Sequence, residues 1–94
     1  MSQNPIEVSF SDKKLRILVE EYITQQKVEF SFKGVCSYIL YWAMEDGKVS
    51  NNFGSLFDSN DLQFADQERI RHILDVIILD GRISASNYET YRKL

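Results

Sequence analysis

The sequence holds a single histidine, and its neighbours decide what chemistry it can do. His72 follows Glu68 by four residues and precedes Asp75 by three, so on a helix all three share one face. A carboxylate one turn from an imidazole is the arrangement of a general base with an orienting acid. No motif sets a serine or cysteine nucleophile beside it, and the pattern reads as a solvated helix face. Cys36 is the only cysteine. One cysteine and one histidine make neither a closed zinc site nor an internal disulfide. Val35, Ile39 and Leu40 surround Cys36 in sequence and predict a buried thiol. Glu20-Glu21 and Glu45-Asp46 are adjacent pairs that diverge around a helix. The four glycines form neither a dinucleotide fingerprint nor a phosphate loop. The expectation is therefore no catalysis, no metal and no cofactor.

Binding is the stronger theme. Tyr38, Tyr41 and Trp42 fall together, with Met44 beside them. Tyrosine and tryptophan give large contact area at low entropic cost, and methionine adapts to irregular partners. These four residues are the expected protein-contact site. Lys13, Lys14 and Arg16 gather where the first helix begins, the end at which the helix dipole disfavours cations. They read as a solvated face able to meet an acidic partner. The net charge of −3 disfavours a phosphate-binding surface, because non-specific nucleic-acid affinity comes mainly from clustered Lys and Arg.

The elements that position these residues follow from periodicity. Residues 1–5 read as a loose tail, and 6–94 as a single domain. Ile6, Val8 and Phe10 alternate with polar residues as in a short strand, and Val28 to Phe32 alternate again, so the two could pair. Between them Ser11 or Asp12 caps a helix to about Gln26, with Leu15, Leu18, Val19, Tyr22 and Ile23 as its apolar stripe and Ile17 opposite. Residues 34–45 are apolar nearly all round, as befits a central helix. Residues 51–57 read as a short helix, 58–61 as a turn, and 66–80 as a long helix with Ile70, Ile73, Leu74 and Ile77 inward. Leu62 and Phe64 tack the connection before it onto the core. A last helix runs from a Ser84 cap to about Leu94, packing Tyr88 and Tyr91.

A repeated phrase ties these pieces together. Glu45-Asp46-Gly47-Lys48-Val49-Ser50 returns 34 residues later as Leu79-Asp80-Gly81-Arg82-Ile83-Ser84. Glycine takes the left-handed position beyond a helix, and the serine caps the next one. Val49 and Ile83 could then pair as a small bridge. The duplication resembles the paired EF-hand in helix order and loop spacing. The ligand test excludes calcium: the required oxygen positions hold Trp42, Met44, Asp46 and Phe53, then Val76, Ile78, Asp80 and Asn87.

The same stretch is similar to a winged helix, with helix 34–45, strand 48–50, helix 51–57, recognition helix 66–79 and a strand at 82–84. That resemblance implies DNA contact through Gln67, Arg69, Arg71 and His72. The segment 84–94 lacks a glycine-bearing hairpin turn to form the wing.

The fold expected is mainly α, about five helices with two or three short strands, and a winged-helix-like arrangement as the alternative. The function expected is a small non-enzymatic cytoplasmic module acting by protein contact, a homodimer being one form the partner can take. A winged-helix DNA-binding regulator is the alternative, and a phage- or mobile-element-type inhibitor a further one. No membrane segment is expected, since no apolar run approaches the ~20 residues a spanning helix needs.

Overall fold

A computed structural model describes residues 8, 10–45 and 62–94, with Met44 and Glu45 described by backbone alone. Most of the 6–10 strand, Gly47, the Val49 bridge, the Ser50 cap, the 51–57 helix and the 58–61 turn lie outside the described residues. Among those described, the chain runs α1 (Asp12–Gln25), β1 (Glu29–Ser31), α2 (Phe32–Glu45), α3 (Phe64–Leu79), β2 (Ile83–Ala85) and β3 (Thr90–Lys93). Three helices lie against a three-stranded antiparallel sheet of order β1-β3-β2. This corrects the five-helix expectation.

The helices form where their apolar stripes require. Ser11 Oγ accepts the Lys14 N–H and caps α1, which buries Leu15, Leu18, Val19 and Ile23. From α2 come Val35, Cys36, Ile39, Leu40 and Ala43, all fully buried, and from α3 come Ile70, Leu74 and Ile77. The sheet closes this core with Phe30, Ile83 and Tyr91. Leu62 is buried at its edge, whereas Phe64 is exposed, so only one of the pair tacks the connection down. α3 ends as the glycine phrase predicts. Gly81 adopts φ +79°, its N–H donates to the Ile78 carbonyl, and the Arg82 N–H donates to that of Ile77. These are the paired closing bonds of a Schellman cap.

Beyond Gly81 the expected helix is a hairpin instead. Ser84 caps nothing; it sits in β2 opposite Arg92. Asn87 Oδ1 accepts the N–H groups of Glu89 and Thr90, and the Ser86 N–H donates to the Thr90 carbonyl. An asparagine side chain thus builds the turn, and no residue of it needs a positive φ. β3 is the central strand. Phe30 lies opposite Tyr91 with rings stacked at 5.4 Å, so β1 takes its partner from residues 90–92. Val8 and Phe10 are buried but belong to no strand.

Candidate functional site

The surface predicted for protein contact is organised by a line of rings. Ser31 ends β1 and its Oγ accepts the Gly34 N–H, which starts α2 directly from the strand. Gly34 lets α1 approach, because a Cβ there would fall on the Tyr22 hydroxyl. From that crossing the rings follow one another. Phe30 meets Tyr22 edge-on at 6.1 Å, Tyr22 meets Tyr38 at 5.3 Å, Tyr38 meets Trp42 at 6.2 Å, and Trp42 meets Tyr41 at 5.8 Å. Tyr38 is pinned from α1: its hydroxyl lies 3.4 Å from Glu21 Oε1, which accepts from it, and itself accepts from Gln25 Nε2 at 3.3 Å. Burial pushes the Tyr22 hydroxyl pKa up and keeps that phenol neutral.

The four predicted residues therefore take different places. Tyr38 and Trp42 are half-buried and brace the surface, and Tyr41 is 52% exposed above them. The side chain of Met44 lies outside the described residues. Trp42 Nε1 is buried with no acceptor among the described residues. An unmet buried donor costs on the order of 1–3 kcal/mol.

The four residues expected for DNA contact lie on α3, but three of them are occupied within the fold. Arg69 is a clamp. Its Nη1 donates to Asp66 Oδ1 at 2.9 Å, its Nε to Asp12 Oδ1 at 2.9 Å, and its Nη2 to the Phe10 carbonyl at 2.6 Å. Burial alone would lower the pKa of this guanidinium, but the hydrogen bonds it donates to Asp12 and Asp66 outweigh that and raise the value. Arg71 is a bolt. Its guanidinium lies 3.7 Å from the Phe32 ring centre and 3.8 Å from that of Tyr88. It also donates to the Tyr88 carbonyl, the Tyr91 hydroxyl and Glu89, fixing the hairpin turn onto α2 and α3. Gln67 Nε2 donates to the Leu62 carbonyl and holds the entry to α3.

His72 alone of the four faces solvent. No hydrogen bond or ion pair joins it to Glu68 or Asp75 among the described residues. It lines a groove of about 590 Å³ between α1 and α3, with Lys13, Arg16, Glu68 and an apolar floor of Ile73 and Val76. No hydroxyl or thiol stands among the lining residues to be activated. Among the described residues no group of three or more His, Cys, Asp or Glu side chains could hold a metal ion.

Sequence reasoning missed Asp66, whose carboxylate is buried at 5% exposure and accepts the Val8 N–H as well as Arg69. Its signal was the Asp-x-x-Arg spacing, which read only as a helix start. It also missed Glu20 as a junction. Glu20 pairs with Arg82 at 2.8 Å and Arg16 at 2.9 Å, joining α1 to the start of β2. No protein-family model, curated protein or solved structure matches the chain. No helix among the described residues is long and apolar enough to cross a membrane.

Proposed function

We propose that the protein is a non-catalytic cytosolic module that acts by protein contact through the surface centred on Tyr41. The observation that carries this reading is a tyrosine held half out of the fold by ring packing from beneath. Tyr41 stands edge-on to Trp42, which rests on Tyr38, which is fixed by Glu21 and Gln25 of α1. A pre-positioned aromatic loses little freedom on binding, and such residues dominate interface energetics. The lone buried thiol, Cys36, suits a reducing compartment. Quantitative capture from lysate followed by mass spectrometry tests the site. Tyr41→Ala should remove the specific partners at unchanged thermal stability, and an unaltered partner profile refutes the assignment.

A second reading, a DNA-binding regulator, is favoured by one observation: α3 runs directly into the antiparallel hairpin β2–β3, an order similar to that of a winged helix. Against it stand the internal ties of Arg69 and Arg71, which leave the outer side of α3 and the turn with Phe64, Glu68, His72, Asp75, Leu79 and Tyr88. Phosphate contacts want free donors, and this surface is apolar and acidic. A gel shift at two salt concentrations separates the readings. Salt-sensitive binding weakened by His72→Ala supports the DNA reading; no shift at low salt removes it. Arg71→Ala is unsuitable here, because it would loosen the hairpin itself.

A further inference from the structure

We infer that α1 carries a second interaction surface, and that its partner is the α1 of another copy of this chain, packed antiparallel about Ile17. The surface is the outer face of the helix. Lys13, Arg16, Ile17, Glu20, Glu21 and Thr24 line a shallow depression of about 430 Å³ there. Ile17 is 46% exposed and is the one apolar member of that set. It lies opposite the buried stripe of Leu15, Leu18, Val19 and Ile23.

The charges around Ile17 are arranged back to front. Lys13, Lys14 and Arg16 occupy the N-terminal half and Glu20 and Glu21 the C-terminal half, while the last turn has no basic residue. A helix dipole favours the reverse order at both ends. Part of this reversal serves the fold. Arg16 and Glu20 are tied to Asp80 and Arg82, and Lys14 lies over the Phe10 ring. Lys13 and Glu21 are not used in that way. Both are exposed; Lys13 makes no hydrogen bond or ion pair among the described residues, and Glu21 only accepts a long bond from Tyr38.

Lys13 and Glu21 each lie four residues from Ile17, which is about 6 Å along the axis on either side. A two-fold axis through Ile17 that runs a second helix antiparallel therefore sets Ile17 on its counterpart. It also sets each Lys13 on the Glu21 of the other copy. The contact is self-complementary, as a two-fold interface must be. Antiparallel helices also bring each unfavourable end beside the opposite dipole. A 14-residue helix offers one narrow face, well below the ~1,600 Å² of a standard interface, so the association is weak and salt-sensitive. Glu21 also accepts from Tyr38 beneath the Tyr41 surface, so Lys13→Glu, which touches none of those rings, is the variant that separates the two assignments.

The test is charge exchange read by analytical ultracentrifugation at low salt, over concentrations up to several hundred micromolar. The wild type should show a concentration-dependent monomer–dimer equilibrium. Lys13→Glu and Glu21→Lys should each weaken it by about tenfold or more, since each turns two attractive pairs into two repulsive ones. Mixing the two single variants should restore association as a heterodimer, and the double variant should self-associate like the wild type. Ile17→Asp should leave only monomer, while Tyr41→Ala should leave the equilibrium unchanged. Circular dichroism of each variant confirms that the helix is intact. A wild type that stays monomeric throughout, or single variants that associate as it does, overturns the proposal. So does a mixture that stays as weak as its components.

Discussion

The Asp66–Arg69 clamp makes a prediction whose size follows from its geometry. Asp66→Ala removes two bonds to a carboxylate that is 5% exposed: the Val8 N–H at 2.9 Å and Arg69 Nη1 at 2.9 Å. The Val8 N–H is left buried without an acceptor, at a cost of about 1–3 kcal/mol. Arg69 is not stranded, because its side chain is 31% exposed and keeps Asp12 and the Phe10 carbonyl. The loss therefore reaches no higher than the middle of the ~3–5 kcal/mol range for breaking a fully buried pair, at about 2–4 kcal/mol in all. For a chain of this size that lowers Tm by roughly 10–30 °C. Arg69→Ala should cost at least as much, because it strands the Asp66 carboxylate in the core with one N–H donor. Urea unfolding followed by the single tryptophan, Trp42, gives both numbers. A double-mutant cycle should return a coupling of about 1 kcal/mol or more. An Asp66→Ala protein within about 0.5 kcal/mol of wild type, or strictly additive losses, would refute the clamp.

Two further outcomes are expected. Gly34→Ala should destabilise, since the new methyl group meets the Tyr22 hydroxyl, and the loss should shrink in a Tyr22→Phe background where that hydroxyl is gone; equal losses in both backgrounds would place the strain elsewhere. Hydrogen bonds from Arg82 and then Arg16 hold the Glu20 pKa below the ordinary glutamate range. A depressed folded-state value stabilises above the unfolded value and is lost as pH falls through the folded one. Glu20→Gln should therefore cost about 0.5–1 kcal/mol near neutrality, the gap closing as pH drops below about 4, in chemical denaturation at stepped pH.

What the sequence disclosed divides along the range of the forces involved. The stripes of α1 and α3 are local patterns, and Leu15, Leu18, Ile70 and Leu74 lie buried where their spacing puts them. Gly81 is also local, and it ends α3 as expected. β1 was legible as a strand, but its partner was not, because alternation at 6–10 and at 90–93 fits it equally well. The hairpin was misread for a similar reason. Tyr88 and Tyr91 are three apart, as on a helix, while the features that make them a turn and a strand lie far away in sequence. Those features are the Phe30 ring under Tyr91 and the Arg71 guanidinium between Phe32 and Tyr88. Arg69 and Arg71 read as outward charges on a helix: the Asp-x-x-Arg spacing hinted only at the pairing of Arg69 with Asp66, and no local signal showed that Arg71 would be enclosed. The exposure of Tyr41 fits the pattern of its helix, because an all-round apolar helix has more rings than a small core can cover.

The central place of β3 bears on the order of assembly. Phe30 and Tyr91 are 61 positions apart, and bringing such distant points together costs roughly 3–4 kcal/mol of chain entropy before any bond forms. The helices can gather on nearer contacts, but neither outer strand has a partner until residues 90–93 arrive. β2 and β3 can pair through their own short turn, so the late step is the docking of that hairpin on β1, which completes the sheet.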